Sequence, residues 1–319
     1  MSLVVVLGAT GQQGGSVVSA LLQNPLFRIR AVTRNPASAS AKKLVEKGIE
    51  VVAANIEDEE SLVRAFDGAS AIFATTAFWD TFPKVGLEGA SHEEAEQQKK
   101  IARSAAKIST LKHFVISSLP PANEVSNGKL SVLHFDSKHV AYKWMEKNLP
   151  ELTAKTTRLW LGWYSSNMAD YPLIKVTPIP MSETSVWIQP GKKDDVIPIG
   201  GNVQYNTGVM VEAILKSGPL AYGKIAILVT EYLTFEQALD SWKRATKKNA
   251  IYVPCTYEQY ETLWGPYGTE IGSQYRWSED HPNWHALFPG KVISHDELGV
   301  TGKLIGHEET LVSLKERLM

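Results

Sequence analysis

The sequence predicts an α/β fold, in which a doubly wound parallel sheet is followed by a smaller C-terminal α/β lobe. Three observations predict it. A glycine-rich turn directly follows an apolar strand, strand and helix patterns alternate up to about residue 160, and beyond that point prolines cluster and the alternation stops. We therefore expect a nucleotide-binding domain over residues 1–160. Residues 161–319 should form mainly a substrate lobe, with some segments returning to the sheet.

The glycine-rich turn is the most specific local signal. An apolar strand, Leu3–Leu7, leads into Gly8–Gly14, where glycines stand at positions 8, 11 and 14. This spacing departs from the common G-x-G-x-x-G form, but a helix from about Ser16 to Gln23 and a second strand, Ile29–Thr33, complete a strand-helix-strand unit. The alternative is a tight turn without a ligand. The glycines of a dinucleotide site allow a sharp turn, a close approach to the pyrophosphate and tight helix packing, with the pyrophosphate on the helix N-terminus. The contacts predicted from this turn are Gly8, Thr10, Gly11, Gln12, Gln13 and Gly14.

Arg34 predicts which nicotinamide cofactor is bound. An acidic side chain at the end of the second strand, about twenty residues past the last glycine, usually hydrogen-bonds the adenosine ribose of NAD. That place is taken here by Arg34, whose guanidinium matches a phosphate bidentately. NADP(H) is therefore preferred over NAD(H). Lys42 and Lys43 either add positive charge to this corner or form a solvated helix face.

Strand and helix patterns continue along the chain. Strands are predicted over Val51–Ala54, Ala71–Thr75, His113–Ser117 and Thr156–Trp160, and helices over Glu59–Phe66, Glu93–Lys107 and Phe135–Lys147. Such repetition indicates a parallel sheet covered on both faces. Ligands of these sheets lie beyond the carboxyl ends of the strands. This rule adds to the predicted cofactor site the residues Asn55, Ile56, Thr75, Thr76, Ala77 and Phe78.

The composition favours a small-molecule ligand. The 33 basic and 34 acidic residues nearly cancel and no run of like charges occurs, which argues against binding to nucleic acid or to an anionic membrane. No apolar run approaches the length of a membrane span, and the single cysteine, Cys255, cannot form an internal disulfide. With a predicted strand at the start of the chain, we expect a cytoplasmic protein. His281 and His285 stand four residues apart, but Pro282 breaks the helix that would align them, so no metal site is predicted.

Aromatic residues gather near the predicted strand ends. Trp79 follows the fourth strand, and Trp160, Trp163 and Tyr164 surround the sixth. Stiff apolar rings suit a bulky, flat or polycyclic ligand, although core packing is the alternative for each ring. The predicted substrate pocket consists of Trp79, Ser118, Trp163, Tyr164 and Asn167. Further tryptophans in the C-terminal part are Trp187, Trp264, Trp277 and Trp284.

The chain resembles the NmrA-like atypical short-chain dehydrogenases/reductases. The resemblance rests on the glycine turn, Arg34, the strand end Ser117-Ser118 and the segment His134-Phe135-Asp136-Ser137-Lys138. It covers the nucleotide-binding half well and the rest loosely, and it implies a Rossmann fold with a small C-terminal lobe. The family includes NADP-sensing regulators without turnover and reductases similar to isoflavone and phenylcoumaran reductases. Membership alone therefore leaves both functions open.

The resemblance also implies roles for single residues. Working short-chain dehydrogenases carry a tyrosine four residues before a lysine, and that lysine lowers the pKa of the tyrosine and holds the nicotinamide ribose. His134 takes the tyrosine position and Lys138 the lysine position. Either side chain can move a proton, while His134 alternatively bonds the backbone at the helix start. Ser117 either polarises a substrate carbonyl or caps its strand. The predicted catalytic residues are Lys138, His134 and Ser117, with Lys138 also contacting the cofactor.

Two functions follow from these expectations. The first is NADPH-dependent reduction of a C=O, C=N or conjugated C=C bond in an aromatic, natural-product-like substrate; in a variant, the cofactor-bound enzyme catalyses a rearrangement or isomerisation. The second is an NADP(H)-sensing regulator without turnover, which would use a protein partner. The missing tyrosine supports the regulator, whereas aromatic strand ends suit an enclosed cavity and support the reductase.

Overall fold

The computed structural model describes residues 1–319. Its strands are β1 (Ser2–Leu7), β2 (Phe27–Thr33), β3 (Glu50–Ala53), β4 (Ala71–Ala74), β5 (His113–Ser118), β6 (Thr156–Leu161), β7 (Trp163–Tyr164), β8 (Thr177–Pro178), β9 (Thr184–Pro190), β10 (Val196–Gly201), β11 (Ile225–Leu228), β12 (Glu231–Thr234), β13 (Asn249–Cys255) and β14 (Val292–Ile293). Its α-helices are α1 (Gln12–Leu22), α2 (Ala39–Glu46), α3 (Glu59–Phe66), α4 (Phe78–Ala106), α5 (Ala122–Val125), α6 (Leu133–Asn148), α7 (Pro150–Thr153), α8 (Asn167–Asp170), α9 (Val203–Ser217), α10 (Phe235–Thr246), α11 (Tyr257–Trp264), α12 (Pro266–Asp280), α13 (His307–Ser313) and α14 (Lys315–Leu318). Short 3-10 helices cover Gly218–Ala221 and Trp284–Ala286.

Eight parallel strands form the central sheet, in the order β14-β11-β6-β5-β4-β1-β2-β3. The strand order reverses at β1, because the chain runs outward to β2 and β3 on one side and returns to β4 on the other. Beyond the carboxyl ends of β1 and β4 the connections therefore diverge and leave a crevice, which is where doubly wound sheets bind ligands. The predicted α/β fold with a doubly wound parallel sheet is confirmed.

Strand β1 is apolar from Leu3 to Leu7 because both of its faces are covered. Val4 and Val6 pack with α1 and α9 on one face of the sheet. Val5 and Leu7 pack with α3 and α4 on the other. Successive side chains of a strand point to opposite faces, so an unbroken apolar run is what a doubly covered sheet requires.

Helix α4 is longer than the sequence indicated. We predicted a helix only from Glu93, whereas α4 begins at Phe78 and bends at Gly86, where φ is 74° and ψ is −179°. Pro83 and Gly86 both weaken a helical pattern, which is why the sequence did not indicate the part before the bend. Although α4 has 29 residues, neither it nor any other helix is long and apolar enough to cross a bilayer.

Segments after residue 160 complete the central sheet. β11 pairs with β6 and β14 with β11, while α9 packs closely against α1. A Cβ added at Gly208 in α9 would lie 2.3 Å from the carbonyl oxygen of Ser16 in α1. Two mixed three-stranded sheets, β12-β10-β7 and β13-β9-β8, lie outside the central sheet. The domain division at residue 160 stays a prediction.

Candidate active site

Two cavities meet beyond the carboxyl ends of the central strands. A long groove of about 820 Å³ runs past the glycine turn. A smaller cavity of about 190 Å³ lies beside it and is walled mainly by apolar side chains. We call them the groove and the inner cavity. The two share the lining residues Gln13, Thr76, Ala77, Tyr164 and Tyr171.

The glycine turn shapes one end of the groove. Gly8 has a φ of 73°, which favours glycine, and a Cβ added at Gly14 would lie 2.2 Å from the Gly8 carbonyl oxygen. Helix α1, which follows, has no side-chain cap and no acidic residue in its first turn. Its N-terminal amides and positive dipole end therefore remain available to an anion.

Most residues of the predicted cofactor site line this groove. They are Gly8, Thr10, Gly11, Gln12, Gln13, Gly14, Arg34, Asn55, Ile56, Thr75, Thr76 and Ala77. Phe78 and Lys138 line the inner cavity instead. Because Thr76 and Ala77 border both spaces, the groove adjoins the cavity that Lys138 lines.

Arg34 lines the groove and is exposed, with only a loose ion pair to Asp80. Its side chain is 78% accessible, and the nearest carboxylate is that of Asp80, 4.0 Å from Nη2. Lys42 and Lys43, which were considered as additional positive charges, do not line the groove. The basic residues that do, besides Arg34, are Lys84, His92 and Lys100. These three were not singled out from the sequence.

Lys138 is buried and paired with a buried carboxylate. Its Nζ donates to Glu94 Oε2 at 2.6 Å and to the His134 carbonyl oxygen at 3.0 Å. Ser137 Oγ donates to the same Glu94 oxygen at 2.6 Å. The Glu94 side chain is only 1% exposed. A charge buried this deeply needs a partner of opposite sign and further hydrogen bonds, and both are present here.

The network continues from Glu94 toward the groove. Thr76 Oγ1 donates to Glu94 Oε1 at 2.8 Å, and Gln98 Nε2 donates to Thr76 Oγ1 at 3.1 Å. Gln98 also lies 3.5 Å from the carbonyl oxygen of Ser117. Helix α4 thus ties the ends of β4 and β5 to Lys138. Such a network holds the ammonium in one place.

His134 lies one helical turn before Lys138, at the start of α6. Its ring lines the inner cavity and packs near Trp79, with 5.2 Å between ring centroids. Nδ1 lies 2.5 Å from Glu270 Oε1, and the backbone amide of His134 donates to the same oxygen at 2.8 Å. The alternative, in which the His134 side chain bonds the backbone at the helix start, is wrong: its imidazole bonds the Glu270 carboxylate and borders the cavity.

The predicted substrate residues all line the inner cavity. They are Trp79, Ser118, Trp163, Tyr164 and Asn167, and the predicted catalytic residue Ser117 lines it too. Gln13 Nε2 donates to the Tyr164 hydroxyl at 2.7 Å. Burial raises the pKa of Tyr164 to about 12, so this phenol stays protonated at neutral pH and keeps its own proton for donation. Whether these residues touch a substrate stays a prediction.

Several other tryptophans belong to the core rather than to a ligand site. Trp160, for which core packing was the stated alternative, is fully buried among Phe135, Trp277 and Trp284. Trp187 is fully buried in the core of the C-terminal part. Successive side chains of a strand point to opposite faces of the sheet. Closeness to a strand end therefore does not by itself place a ring in the cavity.

The sequence analysis did not identify Glu94, Gln98 or Glu270. The stretch around Glu94 reads as a solvated helix face, yet Ala90, Glu94 and Gln98 stand four residues apart and lead into the buried Ile101. Extending that buried stripe backwards would have placed both polar side chains inside. Glu270 gives no such local signal, because its partner lies 136 residues away in the sequence.

Comparison with known proteins bears on the family. The NmrA-like family model matches residues 1–303. One similar protein is the NmrA-like family domain-containing oxidoreductase hkm9 of Aspergillus hancockii, 28% identical over 273 residues, which cover 83% of this chain and 78% of the relative. An NmrA-like family domain-containing protein of Dictyostelium discoideum is 25% identical over 322 residues, covering 99% and 98%.

Solved structures share the fold. The negative transcriptional regulator NmrA in complex with NADP matches with a TM-score of 0.76 at 21% identity, covering 99% of this chain and 95% of that chain. Citrobacter sp. triphenylmethane reductase complexed with NADP(H) matches with a TM-score of 0.68 at 18% identity, covering 99% and 100%. The family expected from the sequence is confirmed: the chain belongs to the NmrA-like family.

Proposed function

We propose that the protein is an NADPH-dependent reductase that delivers hydride to a C=O, C=N or conjugated C=C bond of a flat, aromatic, natural-product-like substrate. The observation that carries the proposal is the junction of the groove with the aromatic inner cavity beside Lys138. The relative from Aspergillus hancockii named as an oxidoreductase and the triphenylmethane reductase neighbour support it.

The groove fits NADP(H) by its chemistry. The uncapped start of α1 and the glycine turn offer backbone amides to the pyrophosphate. Arg34, whose ion pair with Asp80 is loose and exposed, offers its guanidinium to the 2′-phosphate, which favours NADP(H) over NAD(H). Lys138, held by Glu94, is the ammonium at the ribose next to the nicotinamide. The bound nicotinamide supplies the hydride.

The side chains of the inner cavity orient the substrate and move its proton. Trp79 and Trp163 give flat apolar walls that exclude water. The hydroxyls of Ser117 and Ser118 polarise the acceptor group from the end of β5. His134 and Lys138 both line the inner cavity and manage the proton that accompanies hydride transfer.

A regulator without turnover is the second candidate. It is supported by histidine in place of tyrosine at position 134, and by the neighbour NmrA, which is described as a negative transcriptional regulator. An enzyme and a regulator use the groove alike, but only the enzyme needs the inner cavity.

The test is NADPH fluorescence with the purified protein, followed by a panel of polycyclic ketones, imines and enones. Oxidation of NADPH supports the reductase, whereas tight binding without oxidation of any compound supports the regulator. A product of unchanged mass indicates rearrangement and overturns the reductase.

The size of the substrate is tested separately. Trp79→Ala should raise KM for polycyclic acceptors more than for single-ring ones, because it removes one cavity wall. Trp144→Ala is the matched control, since Trp144 lies outside the cavity under the guanidinium of Arg103. Equal effects of the two variants would overturn the polycyclic assignment.

A further inference from the structure

His134 and Glu270 form a buried imidazole–carboxylate pair from two distant parts of the chain. His134 begins α6, whereas Glu270 belongs to α12. The two side chains are 9% and 3% exposed. No lysine or arginine nitrogen lies within 4.0 Å of the Glu270 carboxylate, so His134 is its only partner that can carry positive charge.

The hydrogen bonds fix which ring nitrogen carries the proton. An ionised carboxylate only accepts hydrogen bonds, so Nδ1, which lies 2.5 Å from Glu270 Oε1, is the donor. The same oxygen accepts the backbone amide of His134, which holds the carboxylate in place. In the neutral ring Nε2 therefore carries the lone pair.

Nε2 is the free end of this pair. It makes no hydrogen bond within the protein and is not among the fully enclosed polar atoms. The ring lines the inner cavity, between Trp79 and Phe135, with centroid distances of 5.2 Å and 4.7 Å. Because the ring lines the cavity and Nε2 has no partner in the protein, Nε2 is the ring atom that a ligand can reach.

Lys138 is less free to exchange a proton. Its ammonium already donates to Glu94 and to the carbonyl oxygen of His134. A lysine tied into a buried network serves best as a fixed positive charge. Of the two candidate proton donors, Lys138 is therefore a fixed cation, whereas His134 has one ring nitrogen without a hydrogen bond.

We propose that His134 is the acid–base group of the site and that Glu270 is its positioning residue. The inference rests on the proposed reductase function and names its proton donor. When hydride reaches the carbon of a C=O or C=N bond, the heteroatom keeps the electron pair of the broken π bond, and Nε2 of the imidazolium gives it a proton. The neutral ring, with Nδ1–H still bonded to Glu270, is then reprotonated from water. The substrate is accordingly one with an oxygen or nitrogen acceptor beside Trp79.

The first test reads the tautomer and needs no turnover. Protein labelled with ¹⁵N-histidine is studied by long-range ¹H–¹⁵N correlation NMR, with the His134 signals identified from His134→Gln. The wild type should show a protonated Nδ1 and an unprotonated Nε2 in the neutral ring. Glu270→Leu should move the proton to Nε2, the site preferred by a free imidazole, whereas Glu270→Gln keeps an acceptor oxygen and should keep the proton on Nδ1. Glu261→Leu, a change of an exposed glutamate, should alter nothing. A wild-type ring protonated on Nε2 would overturn the proposal, even if Glu270→Leu does not fold.

The second test measures turnover with the compound that is reduced fastest. Glu270→Leu should lower kcat by about 10- to 1,000-fold with little change in KM, and Glu270→Gln should recover part of the loss. An unchanged kcat in Glu270→Leu would overturn the role of the pair. If no compound is reduced at all, the reductase function fails, and the tautomer result still decides whether Glu270 positions the ring.

Discussion

The side-chain amide of Gln13 donates to the hydroxyl of Tyr164 at 2.7 Å and joins the glycine turn to the segment after β6. The other amide atom, Gln13 Oε1, is buried without a partner. Tyr164 is therefore the main polar anchor of this side chain. The contact links the groove to the inner cavity, because both residues line both spaces.

Removing that anchor should loosen the turn. Tyr164→Phe leaves the Gln13 amide without its acceptor, so we expect the free energy of unfolding to fall by about 1–2 kcal/mol. The Kd for NADPH should rise as well. Urea unfolding measures the free energy of unfolding, and NADPH fluorescence measures the Kd. Tyr171→Phe is the control, since Tyr171 lines the same spaces without bonding Gln13; equal effects would contradict the prediction.

Arg34 should set the cofactor preference. Arg34→Glu replaces the phosphate partner by a repelling carboxylate, and we expect a far larger loss of affinity for NADPH than for NADH. Asp80→Asn removes the carboxylate that faces Arg34 and should tighten NADPH binding up to about fivefold, the range of an exposed ion pair. Arg64→Glu, outside the groove, serves as the control. Equal losses for both cofactors in Arg34→Glu would refute the phosphate assignment.

Lys138 should have separable roles in stability and in binding. Lys138→Ala leaves Glu94 buried without a cation, which should cost about 3–5 kcal/mol of unfolding free energy. The double variant Glu94→Gln with Lys138→Met removes both charges and should recover most of that stability. It should not recover NADPH affinity. Full affinity in the double variant, measured by fluorescence titration, would show that Lys138 acts only within the fold.

The two neighbouring glycines of α1 should respond oppositely to alanine. In Gly14→Ala the new Cβ would lie 2.2 Å from the Gly8 carbonyl oxygen, so the turn must move, and both stability and NADPH binding should fall. In Gly15→Ala the nearest atom lies at 3.6 Å, an ordinary contact. That change should leave binding intact and stabilise α1 by up to about 1 kcal/mol. Thermal unfolding of the pair checks this; a Gly14→Ala protein as stable as wild type would contradict it.

Stability should fall on mild acidification because of two buried histidines. Burial lowers the pKa of His113 and His307 from 6.5 to about 4. Between these values the unfolded chain binds protons that the folded chain does not, so unfolding free energy is lost as the pH falls through this window. From about pH 7 to about pH 5 the two together should cost about 2–4 kcal/mol.

Urea unfolding at both pH values measures this loss. Carboxylates with a lowered pKa, such as Glu59 beside Arg103, lose their stabilising contribution only below about pH 4.5. His113→Gln should therefore flatten the pH dependence above that point. A slope that the variant leaves unchanged would place the loss elsewhere.

The cofactor half was the most predictable part because its signals are local. The glycine turn and Arg34 stand within one strand-helix-strand unit, and the spacing of a few residues places each of them in the groove. Glu270 could not be found in this way, since only tertiary packing brings α12 to α6. For Trp160 the choice between ligand site and core stayed open, since the sequence shows where a strand ends but not toward which face its last side chains point.

Helix α9 comes late in the chain but covers α1, the helix that carries the glycine turn, and the close approach of Gly208 to Ser16 leaves no room for a side chain between them. The two halves of the chain therefore share one closely packed helix pair. A recombination event near residue 160 would separate α1 from the helix shaped to fit it. A C-terminal half taken from another protein would therefore pack against α1 only if it carried a comparably small residue at position 208.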